Sequence, residues 1–177
     1  MKATLQLLFA LFATISLAQN TTPFITVDQF GYLPEAEKIA VIRNPKVGYD
    51  ESWEFNPGST CQVIDLQTNE PIFTGSLTKW NGGLTDQSSG DQVWYFDFSE
   101  VNQVGNYVIL DENNEERSFE FAISKSVYNE VLKHAMRTFF YQRAGYDKLA
   151  EYAGVAWADA ASHVGSNQDT ECRRFDA

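Results

Sequence analysis

The chain has 177 residues, is 44% hydrophobic and 14% aromatic, and carries a formal net charge of −11. Such a composition belongs to folded rather than disordered material, and the length allows one domain and part of another. So acidic a chain is a poor candidate for binding along a phosphate backbone, so no nucleic-acid partner is expected.

Residues 1–18 read as a signal peptide. Lys2 is a minimal basic n-region, and residues 5–17 form an apolar run broken chiefly by Gln6, Thr14 and Ser16. Ser16-Leu17-Ala18 supplies a small-x-small cleavage site before Gln19. The apolar run is short for a bilayer span. The residue directly after the cleavage site is Gln19, not Cys, and no other stretch is apolar enough to cross a membrane. The mature protein is therefore expected to be secreted or periplasmic, with no membrane attachment after cleavage. Cys61 and Cys172 can pair in an oxidising compartment. They fall in regions assigned to different modules, and sequence alone does not place their Cα atoms within bonding range. The expectation is two free thiols, or a local site for Cys172.

Seven strand candidates follow in chain order. Residues 24–29 (FITVDQ) alternate, and Gly31 and Pro34 end the run. Residues 38–43 (KIAVIR) form the next strand, and 44–59, with two prolines and two glycines, read as a long loop. Residues 60–66 (TCQVIDL) and 71–77 (PIFTGSL) make a hairpin about the turn at 67–70. Residues 80–90 are a polar loop and 92–98 (QVWYFDF) a strong strand. Residues 105–110 (GNYVIL) and 117–123 (RSFEFAI) form a last hairpin. Short strands with turn signals between them are the pattern of an immunoglobulin-like β-sandwich. Tyr107, beside Gly105, is either a tyrosine corner or an ordinary half-buried strand residue.

The character then changes. In 127–145, Val127, Tyr128, Val131, Leu132, Ala135, Met136, Phe139 and Phe140 recur at helical spacing. Glu130, Lys133, His134 and Arg137 fall on the opposite arc. With Ser126 as N-cap and Gly145 as C′ residue, the spacing predicts a helix of about five turns with a heavily buried apolar face. Beyond it, 146–152 and 157–163 have short helical or turn character and 165–177 read as loop. Domains are expected at 19–124 and 125–177.

Two stretches resemble one family. Residues 25–34 (ITVDQFGYLP), with Lys38 and the strand after it, are similar to the opening of the N-terminal Ig-like domain of family 9 glycoside hydrolases, the inverting cellulases. Phe98-Ser99-Glu100-Val101 followed by Gly105-Asn106-Tyr107 resembles the end of that domain. Val127-Tyr128 through Phe139-Phe140-Tyr141-Gln142-Arg143-Ala144-Gly145, then Trp157-Ala158-Asp159 and Ala161-Ser162-His163, resemble the start of the catalytic domain. The resemblance implies an all-β Ig-like sandwich followed by the start of an all-α six-hairpin (α/α) toroid. It also implies hydrolysis of β-1,4-glucans such as cellulose, with polysaccharide as the partner. One carboxylic acid protonates the leaving oxygen, and a second carboxylate activates water on the other face of the sugar. In the family the base lies in a Gly-Gly-Trp-x-Asp-Ala-Gly-Asp motif, and the acid is a Glu near the far end of the catalytic domain. Asp176-Ala177 looks like the beginning of Asp-Ala-Gly-Asp, but no Gly-Gly-Trp precedes Phe175. The chain therefore reads as an N-terminal fragment without catalytic residues, and no cofactor is expected. The rival reading is a non-catalytic exported module that binds carbohydrate or protein.

Some members of the family hold zinc in this region with two Cys-His pairs. Here those places read Ser162-His163 and Cys172-Arg173. Half of the four ligands that a structural zinc needs are gone, so no metal is expected; His163 is expected to hydrogen-bond Asp159 instead. Asp65, Glu70, Glu115 and Glu116 read as solvated surface, and Asp28 as a strand-edge or loop residue. Trp53, Trp80 and Trp94 are candidate platforms for sugar rings, with Trp94 the one expected in the core and Trp80 the one expected at the surface. Arg143, at the helix end, is expected to complement the helix dipole or pair with an acid. Export is checked by mass spectrometry of protein secreted from a bacterial host: loss of residues 1–18 is expected, and an exported product that keeps Met1 would refute the cleavage.

Overall fold

Strand β3 (Ile39–Pro45) shows how this sequence folds: Ala40 and Ile42 are fully buried while Ile39, Val41 and Arg43 between them are half-exposed. An alternating strand can bury one face only against a second layer. The computed structural model describes residues 20–165, and the chain divides into two compact units between Ile123 and Ser124.

The first unit supplies that second layer. Its further strands are β1 (Asn20–Thr21), β2 (Ile25–Thr26), β4 (Thr60–Asp65), β5 (Glu70–Ser76), β6 (Thr78–Lys79), β7 (Asp91–Asp97), β8 (Gly105–Asp111), β9 (Glu116–Arg117) and β10 (Phe121–Ile123). One sheet runs β1-β9-β8-β4-β5, with β10 also paired to β8; the other runs β2-β3-β7-β6. Their inner faces make one core. Ala40, Ile42 and Phe96 come from one sheet and Val63, Ile109 and Ile123 from the other, all at 0% exposure. This is the Ig-like sandwich expected from the strand pattern.

Strand β8 is buried on both faces. Tyr107 and Ile109 lie in the inter-sheet core, while Val108 and Leu110 join Ile64 in a second cluster. That is why GNYVIL reads as a nearly continuous apolar run rather than an alternation.

Two strands and one loop depart most from the sequence expectation. The run 24–29 is a strand only at Ile25–Thr26. The Asp28 carboxylate accepts a 2.8 Å bond from the Phe30 N–H, and Gly31 takes φ 93°, so an Asx turn ends the strand early. The run 117–123 is split into β9 and β10 by Ser118. Its hydroxyl accepts from the Ile109 N–H at 2.9 Å and donates to the Phe119 carbonyl at 2.7 Å, so the side chain takes one bond of the ladder while the Ser118 N–H keeps the other on the Ile109 carbonyl at 2.8 Å. The polar loop at 80–90 begins as a 3₁₀ turn, Trp80–Gly83.

An acid expected at the surface and a lysine expected in a strand are buried instead. Asp65 is 8% exposed because its carboxylate accepts the Gln67 N–H at 2.7 Å and closes the β4–β5 turn. Lys38 is fully buried, its ammonium donating to the carbonyls of Pro34 at 2.6 Å and Ala36 at 2.8 Å. In the amide orientation that satisfies its neighbours, the Asn102 nitrogen donates to the carbonyls of Pro34 at 2.6 Å and Ser99 at 3.0 Å. Burial pulls the Lys38 pKa below its ordinary value, opposed by Glu35 and Asp97. The Tyr32 hydroxyl accepts the Asp28 N–H at 2.9 Å and donates to the Ile39 carbonyl at 3.2 Å. The segment that carries the family resemblance is thus a loop wound around Tyr32 and Lys38.

In the second unit, helix α1 spans Asn129–Tyr141, shorter than the expected 127–145. Ser126 is not its cap. The Ser126 N–H donates to the Ser124 hydroxyl at 3.2 Å, and the Ser126 carbonyl accepts from Asn129 at 3.0 Å in a separate turn. Gly145 is not its C′ residue, since its N–H is used on the Ser162 carbonyl at 2.8 Å. The apolar face is not heavily buried as expected. No residue of α1 is buried, and Leu132, Met136 and Phe139 are 62%, 59% and 70% exposed. A short helix α2 (Ala150–Ala153) follows, held to α1 by the Tyr141 hydroxyl on the Ala153 carbonyl at 2.8 Å. No helix among the described residues is long and apolar enough to cross a membrane.

Tyr107 resolves the alternative left open by the sequence. It is fully buried, and its hydroxyl donates to the Gln103 carbonyl four residues upstream at 3.0 Å, the geometry of a tyrosine corner. A Cβ at Gly105 would lie 2.6 Å from that hydroxyl. Tyr107→Phe is expected to cost about 1–2 kcal/mol, the worth of the bond and of leaving a carbonyl unpaired. Gly105→Ala should cost more, and the double variant less than the sum, because removing the hydroxyl relieves the clash. Urea denaturation of the three variants measures this, and strict additivity would refute the contact. Cys61 is in the core at 1% exposure, and burial, with Asp111 nearby, pushes its thiol up to about 12. In a Cys172→Ser variant at mildly alkaline pH, a disulfide reagent should label Cys61 only after denaturation; rapid native labelling would refute its burial.

Candidate functional site

The aromatic candidates take three different positions. Trp53 is 51% exposed and meets Phe24 edge to face at 6.4 Å; Phe24 in turn stacks on Phe55 at 4.9 Å. The loop that carries Trp53 and the exposed Tyr49 is pinned by Arg43. Its guanidinium forks onto Asp91 at 2.8 and 3.1 Å and reaches Asp50 at 2.6 Å. The bonds to Asp91 lead in raising the Arg43 pKa against burial, so this triad stays charged. Trp80 is half-buried at the start of its 3₁₀ turn, where Asn81 and Gly82 take φ 45° and 66°. Sequence favoured Trp80 as the surface ring, but Trp53 is the more exposed. Trp94 packs against the core as expected, yet it also lines an open cleft of about 360 Å³ with Asn56, Pro57, Gly58, Ser59, Leu77 and Lys79.

The acids of the second unit fasten its loops. The Asp147 carboxylate accepts the Ala161 N–H at 2.7 Å. Lys148 and Asp159 pair through their backbones at 2.8 and 3.1 Å, and through their side chains at 3.5 Å. Asp159 therefore faces Lys148 rather than His163, which lies in an exposed bend with φ 57°. Cys172 and Asp176 lie outside the described residues, so the possible thiol partner of Cys61 and the zinc pair of His163 do too. Among the described residues no group of three or more His, Cys, Asp or Glu side chains is placed to hold a metal ion. Arg143 stacks on Tyr146, 4.8 Å from the ring centroid, and pairs with no acid among the described residues. Nothing in the sequence pointed to the Trp94 cleft, because its walls come from segments distant in the chain.

Comparison with known proteins agrees with this architecture. The family model described as the cellulase N-terminal ig-like domain matches residues 20–116. A xyloglucan-specific endo-beta-1,4-glucanase of Bacteroides ovatus is 32% identical over 164 residues, which is 87% of this chain and 25% of that protein. A solved structure of a Bacteroides ovatus GH9 protein superimposes with TM-score 0.59 at 28% identity, covering 79% of this chain and 22% of that one. A metagenome-derived glycoside hydrolase family 9 endoglucanase gives TM-score 0.55 at 29% identity, over 78% of this chain and 24% of that one. The chain thus spans about a quarter of the length of the curated relative it matches. With its two-sheet sandwich matched over more than half of the chain, this protein belongs to the cellulase N-terminal Ig-like domain family.

Proposed function

We propose that this chain is the N-terminal part of a secreted glycoside hydrolase that cleaves β-1,4-glucans with inversion. In this reading residues 1–18 direct export. Residues 19–124 form the sandwich, and 125–177 begin a helical catalytic toroid of six hairpins. The observation that carries the reading is the reach of the similarity. The match to the xyloglucan-specific glucanase extends over 164 residues, well past the sandwich and into the segment of α1. Helix α1 keeps its apolar side chains exposed, as suits a helix whose neighbours in a toroid come from further chain.

The chemistry requires two carboxyl groups about 6.5–9.5 Å apart across a bound sugar, one to protonate the leaving oxygen and one to activate water. Asp147 and Asp159 are occupied in holding loops, so neither is assigned a catalytic role. Polysaccharide is then the substrate of the whole enzyme.

Reading the source DNA in frame beyond the codon for Ala177 tests the proposal. A helical domain with Gly-Gly-Trp-x-Asp-Ala-Gly-Asp, and inverting release of sugar from β-glucan by the longer protein, are the expected results. A stop codon at that point would overturn it. The chain of 177 residues is expected to release no reducing sugar from carboxymethylcellulose or mixed-linkage glucan. Activity that survives purification but is lost in Asp176→Ala would refute this, since an acid without a positioned partner cannot supply both proton and nucleophile.

A further inference from the structure

The cleft lined by Trp94 has firm walls and an unused polar rim. One wall is the segment Asn56 to Ser59. The Gly58 N–H donates to the Asp111 carboxylate at 2.9 Å, and the Asn56 carbonyl accepts from the Asn114 amide at 3.1 Å. Asp111 is fully buried, so this wall is fastened from behind. It is also close-packed, because a Cβ on Gly58 would lie 2.6 Å from Asn113 Nδ2. The opposite wall is β6, where Lys79 pairs with Trp94 and Thr78 with Tyr95 in the β6–β7 ladder. The Leu77 N–H ties the two walls together through the Ser59 carbonyl at 3.0 Å.

Between the walls lie a half-buried indole and Leu77. Around them are the exposed side chains of Asn56, Ser59 and Lys79, none of which hydrogen-bonds another group among the described residues. An aromatic face for the apolar side of a pyranose, with a hydroxyl, an amide and an ammonium for its edge, is chemistry that suits a neutral sugar. The volume, about 360 Å³, falls within the range of about 300–1,000 Å³ usual for ligand sites.

The geometry points to a glucan-binding subsite on the sandwich itself, in which Trp94 stacks on one residue of a β-1,4-glucan while Ser59, Asn56 and Lys79 hydrogen-bond its hydroxyls. The choice of glucan rests on the function proposed above; the cleft rests on its own geometry. Such a subsite would hold substrate to the enzyme outside the catalytic unit and raise the local concentration of chain ends and loops.

The test is a titration of the full chain with cellohexaose, followed by the indole N–H resonance of Trp94. Trp94 supports the core, so it is left in place and the exposed rim is altered. Saturable displacement of that resonance is expected. Lys79→Ala should weaken binding about fivefold, the worth of one hydrogen bond, and Ser59→Tyr, which fills the cleft, should abolish it. Thermal melting should be unchanged in both. A Trp94 resonance that does not move, or affinity that is equal in both variants and the parent, overturns the subsite. Hydrolysis by the longer protein is a separate readout, so a cleft that binds nothing leaves the hydrolase proposal standing.

Discussion

The bond from the Tyr107 hydroxyl to the Gln103 carbonyl fixes the entry of the strand on which the first unit depends. Strand β8 pairs with β4, β9 and β10, and it contributes to both apolar clusters. A rotation of its first residues would flip Tyr107 and Ile109 out of the core together, because side chains alternate strictly along a strand. The corner prevents that by anchoring a buried ring to the chain just upstream. Gly105 is part of the same device, since only a residue without a Cβ lets the hydroxyl pass so close.

Around that frame, loops are held by single polar side chains that are buried or half-buried and hydrogen-bonded. Lys38 gathers the carbonyls of the 34–36 turn, Arg43 joins Asp50 to Asp91, and Asp111 and Asp65 each close a loop on backbone N–H groups. Removing one partner from such a site leaves the other buried and unpaired, which costs far more than the intact bond contributes. Long loops are therefore shaped nearly as firmly as the strands, and that lets the sandwich present the Trp94 cleft as a preformed surface.

The two units divide the functional reading. The sandwich has a closed core and a cleft suited to binding. The second unit has an exposed helical face and acids that are committed to loops. Reaction chemistry of the family kind needs two carboxyl groups set across a bound sugar, whereas the proposed glucan subsite draws on residues of the sandwich alone. Both readings are compatible with similarity to proteins four times as long.

The sequence alone was enough for the class of the first unit and for most strand positions. Alternation in KIAVIR, TCQVID and QVWYFD reports burial on one face, and burial on one face is what makes a sandwich strand. The family resemblance was also legible, because ITVDQFGYLP and GNY encode local devices, an Asx turn and a tyrosine corner. What the sequence did not show depends on partners distant in the chain. Ser118 splits a strand because its hydroxyl meets Ile109 nine residues away. Asp65 lies opposite Tyr107 in the β4–β8 ladder, and α1 is exposed because an apolar face by itself does not supply its cover. The cleft depends on this most of all: Ser59, Lys79 and Trp94 carry no common spacing, and only the pairing of β6 with β7, and of Leu77 with Ser59, brings them to one place.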